Sequence, residues 1–405
     1  MKILIGGSPC THWSIAQTKN RETEAKGIGW ELFLNYRIAR DKYQPDFFLY
    51  ENNKSMSPAI RAQITAELGV EPVLINSAMV SAQNRQRLYW VGRQNPDGTY
   101  SQVAVEQPVD RGILLRDILE SGVCWREKAY TLKANYANAG AVNGVDGGHF
   151  PATMAAEPVR IGTIENDAKN QAFDSQQYRV YSPDAKRVTL CGNGGGADGA
   201  ATGLYAVPAG MAWRGRENGS AFEMRDDQKS NAVAATGHQS RLVIEAADGK
   251  QMPVYEVRGG RITIKGKTYP IKLADGFYII RKLTVTECKR LQTVPDTYAV
   301  PVSDTQAYKM LGNGWTVDVI AHIMSHFTGL TEEAVEVLSM YDGMSCGHIA
   351  LDKLGAEITA YYATEIDKYA IQTTQHNYPD TIQLGDAFQV RDDNWSIKGG
   401  PADEN

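Results

Sequence analysis

Short apolar runs alternate with helix-like stretches at both ends of this 405-residue chain and not in its middle. Residues 1–93 read "KILI", "WELFLNYRIARDKY", "DFFLYEN", "SPAIRAQITAELG", "EPVLINSAMV" and "RLYWVGR", which predicts βα units and a parallel sheet. The same grammar returns after 281. There "TVTECKRLQ" and "VDVIAHIMSHF" have helical periodicity, "VEVLSMYDGMSCGHIALDKLG" reads as strand, turn and helix, and "ITAYYATEID" and "TIQLGDAF" read as further strands. Residues 94–280 differ: "NYANAGAVNGVDGG" and "CGNGGGADGAATG" are glycine-rich loops, and "YEVRGGRITIKGKTYPIKLADGFYIIRKL" is hairpin-like. The expected fold class is α/β, one sheet drawn from both ends of the chain with a loop-rich, mainly β domain inserted at 94–280. Within it "YTLKANYANAG", "VTLCGNGGG" and "NAVAATGHQ" echo one another, as a weak repeat or through shared composition alone. Residues 387–405 read as a polar, flexible tail.

Composition narrows the function classes. The five cysteines, Cys10, Cys124, Cys191, Cys288 and Cys346, form no CxxC pair, so neither a disulfide framework nor a metal site is expected. With no signal peptide and no apolar run approaching the roughly 20 residues of a bilayer span, a cytoplasmic chain without membrane contact is expected. The net charge of −5 is unevenly spread: Lys+Arg against Asp+Glu is 12 to 8 over residues 1–93, 21 to 21 over 94–280 and 9 to 18 over 281–405. Acidity gathers at the C-terminal end, which leaves the remainder free to face phosphates.

Three acids stand at three successive strand ends. Asp342 and Gly343 follow "VLSM", with Gly347 opening the next helix; Glu365 ends "ITAYYAT", and Asp386 ends "LGD". Such turns bring backbone N–H groups and a helix N-terminus to a ligand at the edge of a doubly wound sheet. A carboxylate about 20 residues after the glycine turn takes both hydroxyls of a ribose. Three carboxylates would repel a pyrophosphate, so S-adenosylmethionine (SAM) suits the pattern better than NAD.

"GGSPC", "YEN", "QNRQRLYWVG", "KMLGNGWTVDVI", "YDGMSCG", "ATEID" and "LGD" together resemble the motifs of DNA (cytosine-5) methyltransferases, in circularly permuted order. The cofactor motifs, first in that family, are last here, and the details are most similar to the animal de novo type. The resemblance implies a Rossmann-like SAM-dependent methyltransferase sheet. Residues 1–93 and 281–327 would form its catalytic half, 334–386 its SAM-binding half and 94–280 a target recognition domain. Permutation costs little where termini lie close together at a domain surface.

By that resemblance Cys10 is the nucleophile that attacks carbon 6 of cytosine, since thiolate attack makes carbon 5 electron-rich. A lone cysteine in an apolar segment is ordinarily an inert core residue; the Pro-Cys turn within the ordered motif set changes the reading. Glu51 would hold a proton at N3 and needs a raised pKa to do so. Arg87 would bind the cytosine O2 and Arg85 would support Glu51. Asn53 stands where the family has valine. Pro9, Asn313, Trp315, Tyr341, Asp342, Gly343, Cys346, Gly347, Glu365, Ile366 and Asp386 are the expected SAM-binding residues. The stretch after Cys10 is expected to close over a flipped base, with Gly27 and Gly29 as hinges and Lys19, Arg21 and Lys26 on phosphates. Arg214, Arg216, Arg225 and Arg241 are candidates for reading guanine or gripping phosphate in double-stranded DNA.

The leading expectation is therefore a monomeric SAM-dependent methyltransferase acting on double-stranded DNA in a bacterial or phage-infected cell. Methylation of a structured RNA, an inactive DNA-binding relative and a cysteine hydrolase are the alternatives. The long insertion favours DNA, the retained Cys10, Glu51 and Arg87 argue against inactivity, and no histidine base accompanies Cys10 in a motif. Whether a restriction system, a phage or a regulatory pathway uses the protein is open from sequence.

Overall fold

The computed structural model describes residues 1–14, 21–138, 152–158, 160–163, 179–181, 204–205, 211–216, 219–224, 243–245, 251–264 and 267–392. They fall into two compact units. One comprises Met1–Ile118, Lys128–Ala137 and Thr284–Asn405, the other Leu119–Glu127 and Asn138–Leu283.

The first unit is organised by an eight-stranded sheet. Its early strands are β1 (Lys2–Gly6), β2 (Phe47–Asn53), β3 (Pro72–Asn76), β4 (Gln86–Gln94) and β5 (Tyr100–Gln102). Three more, Val335–Met340, Ile358–Thr364 and Ile382–Gly385, come from the other end of the chain. Across the sheet the order is Ile382, Ile358, Val335, β1, β2, β4, β3, with β5 added to β4. The two ends of the sequence thus meet at mid-sheet, where β1 runs parallel to Val335–Met340 with Leu4 opposite Leu338. Ile3, Leu4 and Ile5 are fully buried, as a strand covered on both faces requires.

The expected parallel arrangement stops at β2. β4 is antiparallel to both β2 and β3. The connection over residues 77–85 is too short for a parallel crossover, which takes about a dozen residues or more.

Helices α1 (Ile28–Tyr43) and α2 (Pro58–Leu68) cover one face. α2 begins where the Ser57 hydroxyl accepts from the Ile60 N–H and Pro58 occupies the first turn, and it stops at Gly69, whose φ of 75° suits a left-handed cap. Phe33 and Tyr36 of α1 and Ile60 and Ile64 of α2 pack with Leu4, Tyr50 and Trp90. On the opposite face the Cys346–Leu354 helix approaches β1 closely: a Cβ on Gly347 would lie 2.2 Å from Ile5 Cδ1.

The tail is shorter than expected. Ala387–Asp392 form a helix whose N–H at Phe388 is capped by the Asp386 carboxylate at 2.9 Å, and Ala387 and Val390 are buried. Residues 393–405 lie outside the described residues.

In the second unit every described element of regular structure beyond residue 138 is a strand, in line with the expected β character. Gln251–Arg258, Arg261–Ile264, Lys267–Pro270, Gly276–Lys282 and Met154–Pro158 form an antiparallel sheet, with Gly259 and Gly260 both at positive φ in the two-residue turn between Arg258 and Arg261. Tyr255, Ile262, Tyr278 and Ile280 give it its own core. Its boundaries differ from 94 and 280. β5 pairs with β4, Arg111 bonds Asp318 at 2.6 Å, and the Lys128 ammonium donates to carbonyls of Ala78, Ser81 and Ile113, so these stretches belong to the first unit. Cys191, "VTLCGNGGG", "NAVAATGHQ", Arg225 and Arg241 lie outside the described residues, and of Arg214 and Arg216 only the strand Met211–Arg216 is described. No helix among the described residues is long and apolar enough to cross a membrane.

Candidate active site

β1 ends at Gly6, and the chain runs through Gly7–Pro9 into a 3-10 turn, Cys10–His12. The two glycines follow from crowding. A Cβ on Gly6 would lie 2.9 Å from the Met340 carbonyl, and one on Gly7 3.0 Å from a Glu51 carboxylate oxygen. Ser8 is then fixed from β2: its hydroxyl pairs with Tyr50 Oη at 2.7 Å, and Asn52 Nδ2 donates to its carbonyl at 3.2 Å. The backbone entering the Cys10 turn is therefore anchored to the strand that carries Glu51.

Glu51 is nearly buried, and partners from distant parts of the sequence hold both its oxygens. Arg87 Nε lies 2.9 Å from Oε1, and Trp315 Nε1 donates to Oε2 at 3.0 Å. Arg87 thus makes a contact of the kind the resemblance implies for Arg85. The buried Arg85 guanidinium donates to the carbonyls of Leu132 at 3.2 Å, Gly312 at 3.3 Å and Gly314 at 2.9 Å, which braces the turn bearing Asn313 and Trp315. Gly312 is required there, since its Cβ would lie 2.3 Å from the Lys133 backbone. Asn53, in the valine position, receives the Ser55 hydroxyl on its side-chain oxygen at 2.8 Å and so stiffens the turn after β2.

Beyond Met340 three residues in five adopt left-handed backbone, Tyr341, Gly343 and Ser345. The Asp342 carboxylate holds this turn, accepting from the hydroxyls of Ser339, Ser345 and Tyr361. Burial pushes the Asp342 carboxyl up to about 6, against the lowering effect of those hydroxyls. Glu365 bridges two strand ends: Oε2 accepts from the Gly343 N–H at 2.8 Å, and Oε1 from the N–H groups of Ile366 and Asp367 at 2.7 and 2.8 Å. Ile366 leaves 74% of its surface exposed beside it.

These turns enclose one pocket of about 360 Å³ at the C-terminal edge of the sheet. It is lined by Pro9, Glu51, Arg85, Arg87, Asn313, Trp315, Tyr341, Asp342, Gly343, Cys346, Glu365, Ile366 and Asp386, with Gly7 before the Cys10 turn and Thr11 within it. Gly347 is the exception among the expected binding residues, packing beneath β1 and not on the lining. Burial raises the Cys346 thiol to about 12, which keeps it neutral. Leu32, Met310 and Phe388 also line the pocket, and sequence reasoning missed them. For Phe388 a signal existed: an aromatic two residues after the strand-end Asp386.

Among the described residues of the stretch after the Cys10 turn, Arg21 and Lys26 already have partners within the protein. Arg21 donates to the carbonyls of Ser55 at 2.6 Å and Trp13 at 3.2 Å, and Lys26 pairs with Glu24. Lys19 lies outside the described residues.

The family model of C-5 cytosine-specific DNA methylases matches residues 1–328. Type II methyltransferase M.HpaII of Haemophilus parainfluenzae is 25% identical over 332 residues, 78% of this chain and 69% of its own. Orphan methyltransferase M.SPRI of Bacillus phage SPR is 25% identical over 374 residues, 79% of this chain and 81% of its own. Type II methyltransferase M.HhaI of Haemophilus parahaemolyticus is 36% identical over 87 residues, 20% of this chain and 27% of its own.

Proposed function

The chain belongs to the C-5 cytosine-specific DNA methylase family, and from that premise we propose that it methylates carbon 5 of a cytosine flipped out of double-stranded DNA, through a covalent bond to Cys10. One observation carries the reading. Glu51, Arg87 and the backbone flanking Cys10 share a pocket with Glu365, Asp342 and Asp386, so base chemistry and cofactor binding have a common chamber.

The pocket suits SAM. Its volume lies within the roughly 300–1,000 Å³ of small-molecule sites. Its carboxylates disfavour a phosphate-bearing ligand, while Ile366 and Phe388 offer apolar surface beside the ribose-binding position proposed for Glu365. SAM, when bound, supplies the methyl group as an electrophile. The protein's own groups prepare the base. Cys10 forms a sulfur–carbon bond at carbon 6, and Glu51 places a proton at N3 to accept the displaced electron density. Arg87 holds Glu51 and faces the same pocket, where it meets the exocyclic O2 of the base. Once carbon 5 carries the methyl group, its proton leaves, the C6–S bond breaks and the thiolate is restored.

Two further features belong to this proposal. The strand order, with 335–340 beside β1, supports a circularly permuted methyltransferase sheet, and the family match stops at residue 328, before the 334–386 half. The second unit, with its own antiparallel core, is proposed to recognise the target sequence. Bisulfite sequencing of DNA from a methylation-free host expressing the chain tests the function. Protected cytosines in one sequence context support it; complete conversion contradicts it.

A further inference from the structure

The chain leaves the Cys10 turn at His12 and Trp13 and returns as α1 at Ile28. The Glu22 carboxylate links departure and return. Its Oε2 accepts from the indole Nε1 of the fully buried Trp13 at 3.0 Å. Its Oε1 accepts from the Gly29 backbone N–H at 3.2 Å and lies 3.7 Å from His12 Nδ1, while its own N–H donates to the His12 carbonyl at 2.8 Å.

The two glycines expected as hinges have another purpose. A Cβ on Gly27 would lie 2.6 Å from Glu22 Oε1, and one on Gly29 would lie 2.5 Å from Oε2 and 2.7 Å from the Trp13 indole nitrogen. Only glycine leaves room for the carboxylate at both positions, and Gly27 also needs its φ of 86°. Neighbouring contacts act in the same sense. Arg21 ties the Trp13 carbonyl to that of Ser55 in the turn after β2, and the Ser57 hydroxyl donates to the Thr23 carbonyl at 2.5 Å.

We propose that Glu22 is a positioning residue for the nucleophile: its carboxylate clamps Trp13 to the first turn of α1, its backbone N–H holds the His12 carbonyl, and together they fix the 3-10 turn that contains Cys10. A carboxylate with both oxygens engaged by fixed donors is a stiff link, because moving either end leaves a desolvated donor unpaired. The inference rests on Cys10 being the nucleophile. Glu22 is not among the residues lining the pocket, so its removal acts on the turn and not on cofactor contacts.

The test measures adduct formation on a random-sequence duplex in which 5-fluorocytosine replaces every cytosine, with SAM saturating, for the wild type, Glu22→Gln and Glu22→Ala. Hydrogen exchange at the Gly29 and Glu22 amides is followed in the same samples. Glu22→Ala is expected to slow trapping at saturating DNA at least tenfold, with the half-saturating DNA concentration and SAM affinity within twofold of wild type. Exchange at both amides should accelerate at least tenfold. Glu22→Gln keeps the shape but turns a donor toward one of two donors, so it should fall between. Wild-type trapping with an unchanged Glu22→Ala rate, unchanged exchange, or SAM affinity falling in step with the rate would each overturn the clamp alone. A wild-type chain that forms no adduct would overturn the nucleophile assignment and the clamp with it.

Discussion

The acids on the two sides of the pocket are held in different ways. Glu365 and Asp386 are fixed by the backbone just beyond them: Glu365 by Ile366 and Asp367 together with Gly343, Asp386 by Phe388. Glu51 is fixed by side chains from far along the chain, Arg87 on β4 and Trp315 after the Asp304–Asn313 helix. Local backbone donors set a carboxylate's position cheaply and leave lone pairs for a ligand. Distant side-chain donors make Glu51 report on whether the surrounding elements have assembled.

The largest test of that contrast is Glu51→Gln. It removes the proposed proton-handling group and keeps the shape, so methyl transfer should fall about a hundred- to ten-thousandfold, the span of general acid–base contributions. SAM affinity by calorimetry should stay within a few-fold. Parallel loss of both would merge the two sides into one unit.

Glu365→Ala is the converse. Losing charge-assisted hydrogen bonds costs about 1.5–3 kcal/mol, so SAM should bind roughly 10- to 150-fold more weakly. Transfer at saturating SAM should recover to near the wild-type rate. Unchanged affinity would remove Glu365 from the cofactor site.

Trp315→Phe keeps most of the aromatic surface and deletes the donor to Glu51 Oε2. About a tenfold fall in transfer rate is expected, the effect of one hydrogen bond to a charged group at the low end of its range. A rise in the SAM dissociation constant with no change in rate would return Trp315 to the cofactor side, where the sequence had placed it.

The smallest effect concerns Asp342. Its folded pKa of about 6 lies above the ordinary 3.8, so burying the ionised form costs stability above pH 6. That cost disappears as pH falls from about 6 toward about 4, because the folded state takes up the proton first. The melting temperature of the wild type relative to Asp342→Asn should therefore rise on going from about pH 7 to about pH 5. A pH-independent gap between the two would contradict the raised value.

The same contrast explains what the sequence made legible. The strand ends at Met340, Thr364 and Gly385 could be read because apolar runs stop at glycines and acids within a few residues, and most of the contacts holding those acids are as local. That both ends of the chain contribute to one sheet could be read from the apolar runs at 1–93 and after 281. Non-local partners were harder. The resemblance gave the support of Glu51 to Arg85, and the spacing in "QNRQR" does not distinguish it from Arg87, which makes the ion pair. The direction of β4 depends on a short connection whose length argues against a crossover, and apolar periodicity carries no strand direction. Residues 94–118 looked like the insertion by composition, yet β5 and the Arg111–Asp318 pair bind them to the sheet. Gly27 and Gly29 read as hinges because the carboxylate that fills their empty space, Glu22, lies near them in sequence without any pattern to mark it.

The central claim is that Cys10, in the turn between Pro9 and the Trp13 anchor, bonds to carbon 6 of the target cytosine. The most direct measurement is a denaturing gel of the chain incubated with SAM and duplex DNA carrying 5-fluorocytosine. Fluorine at carbon 5 blocks the proton loss that releases the enzyme, so a denaturant-resistant complex should accumulate. Cys10→Ser should abolish it, because an alcohol without an adjacent strong base is rarely ionised. Cys124, Cys191, Cys288 and Cys346 should each be replaceable without losing it. A complex that persists in Cys10→Ser, or a Cys10→Ser chain that still methylates DNA at the wild-type rate, would contradict the account.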